Sequence, residues 1–331
     1  MAMQPLLRRR TVVGLLPALA ALGARAQPAA SKPLTFIVPY AAGGPADVTA
    51  RQIVPALSKA LGGQAVIVEN VAGASGAIAI QRLLSQPADG SQFLMGSPSD
   101  VILAPLALAA VKYKPEQLRL LGLASRAPLA LVGTRQLPTG TLDELLGDMR
   151  KPGARQYNYG SIGVGSLFHL VGEDFAARMK LRMTHVPYKG AAPLLQDLMG
   201  GQVDLAFLTP GGSNLADLIA QGKLHAYAVT DGQRMTRLPD VPTMEQAIGL
   251  KDFEYEIWGG MFVPRSVPAE IAQRLNAALT EVLRDPEFRS QVEASSAIPS
   301  SPMTLADADK LLADQTARYR RIAQAIKLEP Q

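Results

Sequence analysis

The chain has 331 residues, with 33 basic and 28 acidic side chains for a formal charge of +5, 48% hydrophobic residues and no cysteine. The missing cysteines exclude a disulfide framework, a thiolate nucleophile and a cysteine-based metal site. Arg8, Arg9, Arg10 and Arg25 all precede residue 27, so the rest of the chain carries 29 basic against 28 acidic groups, and no clustered basic face for a nucleic acid is expected.

The first residues read as an export signal: Arg8-Arg9-Arg10, an apolar stretch from Val12 to Leu22, and the small-x-small sequence Ala24-Arg25-Ala26. Cleavage is expected after Ala26, making residues 1–26 the signal peptide and the periplasm the destination. The order Arg-Arg-Thr-Val-Val leaves a twin-arginine route open beside the general one. The apolar run is shorter than the ~20 residues of a membrane-spanning helix.

Beyond residue 27, strand-like runs alternate with helix-like runs, the pattern of an α/β architecture with mainly parallel sheets. A strand predicted over Leu34–Pro39 leads through the glycine-rich turn Tyr40–Asp47 into a helix over Pro45–Leu61. Pro45 suits the first turn, Pro55 is expected to kink the helix, and Gly62-Gly63 stops it. Ala65–Glu69 and Gln92–Gly96 read as strands around a helix over Ser75–Ser85. Leu118–Ala124 and Ala130–Gly133 read as further strands, and Thr141 to Glu144 is a capping box opening a helix over Thr141–Arg150. A strand over Gln156–Tyr159 then enters a second glycine-rich turn, Tyr159–Ser166, ahead of a helix over Ser166–Met179. Strands over Met183–Pro187, Val203–Leu208, His225–Thr230 and Glu256–Val263 alternate with helices over Ala191–Met199 and Ser213–Gln221. The C-terminal stretch changes character, with long helices over Pro268–Arg284 and Leu305–Ile326.

The two glycine-rich turns carry the functional argument. A helix N-terminus exposes free N–H groups and about half a positive charge, so it holds an anion without a cationic side chain. Two such turns, far apart in sequence, suggest a carboxylate gripped between two α/β lobes. In the first, Ala41, Ala42, Gly43 and Gly44 would bring backbone against the ligand, with Tyr40 and Asp47 at its ends. Asp47 equally suits closing the helix cap. In the second, the hydroxyls of Ser161 and Ser166 join the N–H groups of Gly163, Val164, Gly165 and Ser166, although a serine there is also an ordinary N-cap. Ser97 and Ser99 follow a strand, where a ligand-facing loop is expected.

These residues resemble the periplasmic substrate-binding proteins of tripartite tricarboxylate transporters, the Bug family. The resemblance runs in order through Val38-Pro39-Tyr40-Ala41-Ala42-Gly43-Gly44-Pro45-Ala46-Asp47 with Ala50-Arg51, Val68-Glu69-Asn70 with Gly73-Ala74-Ser75-Gly76, and Asp89-Gly90. It continues through Asn158-Tyr159-Gly160-Ser161 with Gly163-Val164-Gly165-Ser166, His185-Val186-Pro187-Tyr188-Lys189-Gly190, Gly201-Gln202-Val203-Asp204 and Leu238-Pro239-Asp240-Val241-Pro242-Thr243. It implies a type II periplasmic-binding-protein fold, two α/β lobes joined by two crossing segments and closing like a flytrap. Residues 27–126 plus 259–331 would form the first lobe and 127–258 the second, with crossings near Ser125–Ala130 and Trp258–Met261. It also implies a small organic carboxylate as ligand, whether dicarboxylate, hydroxy acid or aromatic acid. The partner would be a membrane transporter or a signalling receptor, served by a monomer without cofactor or metal.

The chain departs from the family at Ala42, where relatives usually have Pro, and at Leu208-Thr209, where many have Asp-Asn. Without that carboxylate, a ligand lacking a free amine is expected, with Thr209 facing it. Arg126, near the first crossing, is a further candidate for gripping a second carboxylate, against the plainer reading of a solvated arginine. His169, His185 and His225 are scattered over separate elements, with no metal spacing and no nucleophile partnership in the sequence. Ser161 has Tyr159 rather than Gly two residues before it, so no nucleophile elbow is present, and no P-loop lysine follows a glycine turn. An enzyme on the same fold would need a buried base near the cleft, for which only Asp47 qualifies.

Overall fold

A computed structural model describes residues 32–211, 214–328 and 330. The expected signal peptide and its cleavage site at Ala26 lie outside the described residues.

Leu34–Val38 (β1) has Phe36, Ile37 and Val38 fully buried, as a strand covered on both faces of a parallel sheet must be. Pro45–Ala60 (α1) follows and continues through Pro55 without interruption. It ends in a Schellman turn, with the Gly62 and Gly63 amides donating to Lys59 and Ser58 carbonyls. Val66–Asn70 (β2), Ala77–Ser85 (α2) and Gln92–Gly96 (β3) continue the alternation. A wide π-type turn over Ser99–Leu103 and a short helix, Ala104–Ala107 (α3), then lead to the long strand Leu118–Pro128 (β4). No sequence signal had joined this strand through the first crossing.

Ala130–Thr134 (β5) opens a second sheet, with Leu142–Met149 (α4), Tyr157–Ser161 (β6), Leu167–Met179 (α5), Met183–Pro187 (β7), Ala191–Gly200 (α6), Leu205–Leu208 (β8), Leu215–Ala220 (α7), Leu224–Val229 (β9) and Met244–Ile248 (α8). The Thr141 capping box forms as the spacing predicts, and a second one at Thr243 starts α8. Glu256–Pro264 (β10) returns to the first sheet. Ala269–Arg284 (α9), Pro286–Ala294 (α10), the short Ile298–Pro299 (β11) and Leu305–Ala325 (α11) complete the described chain.

The first sheet runs β11-β4-β10-β3-β1-β2 and the second β7-β6-β8-β5-β9. Neither is mainly parallel. β1 is parallel to β2 and β3, and β6 to β7 and β8, but β10 is antiparallel to β3 and β4, and β5 to β8 and β9. The reason is topological: a strand arriving from the other sheet inserts against the direction of the βαβ units. β4 and β10, which lead out of and back into the first sheet, pair from Glu256↔Pro128 to Pro264↔Leu118. One apolar core lies between α1, α9, α10 and the first sheet, and another runs from the opposite face of that sheet into the second. Trp258 and Phe262 of β10, both buried with ring centroids 6.1 Å apart, sit in the shared core.

Candidate functional site

The first glycine-rich turn is closed by Asp47. Its Oδ2 accepts the Gly43 amide at 2.8 Å, and its carboxylate also accepts from Asn70 Nδ2 at 3.0 Å and Arg51 Nε at 3.0 Å. Burial opposes its charge, but Arg51, the Gly43 amide and Asn70 outweigh that and hold the carboxyl below its ordinary range. Asp47 thus shapes the turn from behind. With Gly43 occupied and Gly44 donating weakly to Ala41 at 3.4 Å, the amides of exposed Ala41 and Ala42 have no partner among the described residues.

Tyr40 turns inward from the same loop. Its hydroxyl donates to Asp100 Oδ2 at 2.9 Å and lies 3.2 Å from Ser97 Oγ. Burial, then the Asp100 charge, pushes this phenol well above its usual range, so it stays a donor. Ser97 and Asp100 form a tight cluster with it, and Asp100 is a residue the sequence reading missed. The signal was present: Asp100 is the one charged residue between Phe93 and Leu108, in a stretch otherwise apolar apart from Ser97 and Ser99.

The second turn is held by hydroxyls and imidazoles. Ser166 caps α5 by accepting the His169 amide at 3.3 Å and donates to the Gly163 carbonyl at 2.7 Å. Ser161 is fully buried, with Oγ 2.7 Å from His185 Nε2, and the Gly165 amide donates to His169 Nδ1 at 3.2 Å. The two imidazoles stack at 4.0 Å, with Tyr159 beyond His185 at 5.0 Å. Two of the three histidines that looked scattered are therefore partners, because β7 folds back beside β6 and brings His185 against α5, while His225 lies elsewhere, its Nε2 2.8 Å from the Gly140 carbonyl. Burial lowers both, His185 to about 4, and Glu173 partly opposes this at His169. Both rings are neutral near pH 7. Ser161 does find an imidazole, but its side chain has no exposed surface from which to reach a substrate. The Val164 amide is left without a partner among the described residues.

Segments on the first sheet's side, though not Tyr40–Asp47 itself, meet the second turn directly. Ser99 Oγ accepts the Leu167 amide at 3.1 Å, so a hydroxyl from the first sheet's side caps the helix behind the second turn. Ser75 Oγ donates to the Val164 carbonyl at 3.2 Å. Gly165, at φ +73°, sits so close to α3 that a Cβ there would lie 2.5 Å from Ala107 Cβ. Only glycine meets both conditions. The roles of Ser75 and Ala107 were not legible in the sequence, since they exist only where segments of the first sheet's side touch the second turn.

Thr209 and Arg126 stand apart from this cluster. Thr209, half-buried at the end of β8, donates to the Gly211 carbonyl at 3.2 Å. Arg126 pairs with Glu256 at 2.9 Å across the β4–β10 ribbon, each side chain more than a third exposed. A separate hollow of about 730 Å³ between α5, the segment before β10 and α11 is lined by Asp174, Arg178, Glu254, Arg318 and Arg321 among others. Arg178 pairs there with Asp174 at 2.9 Å and Arg318 donates to the Glu254 carbonyl, and none of the residues picked out by sequence lines it. Among the described residues no cluster of three metal-ligating side chains occurs.

Two mixed α/β sheets joined by crossing strands define a periplasmic-binding-protein fold. Solved structures agree. The periplasmic binding protein BugD is 29% identical, with a TM-score of 0.79 over 91% of this chain and 99% of that one. A Rhodopseudomonas palustris protein, Rpa4515, solved with adipate, is 30% identical, with a TM-score of 0.80 over 91% of this chain and 99% of that one. MatC from the same organism, with bound malate, is 28% identical, with a TM-score of 0.76 over 87% and 98%. The model of the tripartite tricarboxylate transporter family receptor matches residues 49–328, and the chain belongs to that family of solute-binding receptors, the Bug proteins.

Proposed function

We propose that this protein is exported, loses residues 1–26, and captures a small dicarboxylate or hydroxy acid in the periplasm for a tripartite tricarboxylate-type transporter. It acts as a monomeric binder, without a catalytic step. Residues 27–126 plus 259–331 form one lobe and 127–258 the other. The ligand lies between Tyr40–Asp47 with Ser97 on one side and Ser161–Ser166 with Ser99 on the other, and Thr209 borders it.

One observation carries this reading: two helix-starting turns, one after a strand of each sheet, keep backbone amides with no partner among the described residues, those of Ala41 and Ala42 and that of Val164. Amides at helix N-termini suit an anion, and a partly buried one gains up to ~2 kcal/mol at each terminus. With a few direct hydrogen bonds this supports micromolar affinity, which needs about −8 kcal/mol. Adipate and malate in solved relatives place small dicarboxylates within the family's range. Leu208-Thr209 offers no carboxylate to an ammonium, so the ligand has no free amine.

Thermal unfolding of the chain from Gln27, screened against an organic-acid panel and followed by calorimetry on the hits, tests the proposal. A rise in Tm with micromolar Kd for one or more dicarboxylates is expected. Silence across all acids would overturn it, and preferential binding of aspartate or glutamate would overturn the absence of an amine.

A further inference from the structure

Asp100 is a carboxylate with no exposed surface and no cation beside it. Its Oδ2 accepts from Tyr40 at 2.9 Å and from Ser97 Oγ at 2.5 Å, and the Ser97 amide donates to Oδ1 at 2.9 Å and Oδ2 at 3.1 Å. The start of α2 seals it from behind, where a Cβ on Gly76 would lie 2.6 Å from Asp100 Cβ. The titratable groups facing it are Tyr40, from the first turn, and Tyr113, whose hydroxyl donates to the Asp100 carbonyl. Burial keeps both phenols neutral. Burial is also the largest influence on Asp100 itself, pushing it up to about 6 against the donors that hold it.

Tyr40 and Ser97 are side chains proposed above to meet the ligand, yet their hydroxyls point at Asp100. An incoming carboxylate competes for those hydrogens and brings a second negative charge beside a group with no countercharge. Two carboxylates in one dry site do not both stay ionised. A single proton from solvent resolves both difficulties: the neutral acid no longer repels the ligand, and it releases the hydroxyl hydrogens toward it. We infer that Asp100 is the positioning residue of the first half-site and gains one solvent proton when an organic carboxylate binds. This inference rests on the carboxylate reading above. It makes capture proton-coupled, with loading favoured in a mildly acidic periplasm.

The test is calorimetry with adipate and malate from about pH 6.5 to about 8.5, in buffers of high and low ionisation enthalpy. In that window the free acids, whose second carboxyls ionise at about 5, are almost fully ionised in solution. Affinity should fall by up to about tenfold per pH unit as pH rises, and the two buffers should report close to one proton taken up. Asp100→Asn, permanently neutral, should bind with a flat profile and no proton uptake. If wild type binds these acids with pH-independent affinity and equal heats in both buffers, the inference fails while the carboxylate reading stands. If no acid of the wider panel binds at any pH, the carboxylate reading fails and takes this one with it. Should the Asn variant fold poorly, the wild-type buffer comparison decides alone.

Discussion

The two glycine-rich turns look alike in sequence and are built on different chemistry. The Tyr40–Asp47 turn is braced by charge: one buried carboxylate, Asp47, gathers an amide, an amide side chain and a guanidinium, and a second, Asp100, orders Tyr40 and Ser97. The Ser161–Ser166 turn is braced by neutral groups: two serine hydroxyls and a stacked pair of uncharged imidazoles. Acid discharges a carboxylate and charges an imidazole, and it reaches the imidazole turn first, because His185 sits at about 4 while Asp47 is held below its ordinary 3.8, so the two turns can be weakened separately. A pair of turns that only shared a motif would respond alike.

The largest effect is expected at the charged turn. Asp47→Ala leaves the Gly43 amide and Asn70 without their acceptor, and should cost about 3 kcal/mol in urea unfolding and weaken ligand binding more than tenfold. A loss below about 1 kcal/mol would mean that the turn is held by backbone alone.

Next comes the contact of the second turn with α3. Gly165→Ala places a side chain at positive φ and against Ala107, and should lose about 2 kcal/mol of stability. Adding Ala107→Gly should restore the clash component but not the strain, giving a coupling of roughly 1 kcal/mol in a double-mutant cycle. No coupling would place the second turn and α3 apart in solution.

The neutral turn is probed by acid. His185 carries a folded value of about 4 against 6.5 for the unfolded ring, so the folded chain binds its proton less readily. Stability from this ring is therefore complete above about pH 6.5 and is lost as pH falls toward about 4. The ceiling is roughly 3 kcal/mol, less for the screening of a partly exposed ring. Protonation of His169 would also remove the acceptor of the Gly165 amide. A His169→Gln, His185→Gln double variant should unfold with a flatter acid profile, and an unchanged profile would break the contrast between the turns.

The smallest effect is reserved for a residue outside both. Arg126→Ala removes a solvent-screened pair with Glu256 and should change stability by under about 1 kcal/mol and ligand affinity by less than about twofold. A tenfold loss of binding would return Arg126 to the cleft.

Much of the fold was legible along the chain because its signals are local. Pro45, the Thr141 capping box and the Gly62-Gly63 stop each act within a turn of their own helix, and each formed where the spacing put it. The buried runs at β1 and β3 likewise announced strands covered on both faces. Strand direction was not legible. Val, Ile and Leu runs read the same whichever way a neighbour points, and the reversal at β5 and β10 comes from the crossing between sheets.

The same division holds at the candidate site. Residue order by itself determined the α/β alternation, the two turns, and the choice of backbone amides over cationic side chains, because helix starts and glycine conformations are properties of a few consecutive residues. Tertiary structure alone decided that Ser99 caps a helix of the other sheet, that His169 stacks on His185, and that Asp100 stands behind Tyr40. Those pairings join residues 16 to 68 positions apart along the chain. Only packing brings such groups within hydrogen-bonding distance, and only burial sets the charge they carry there.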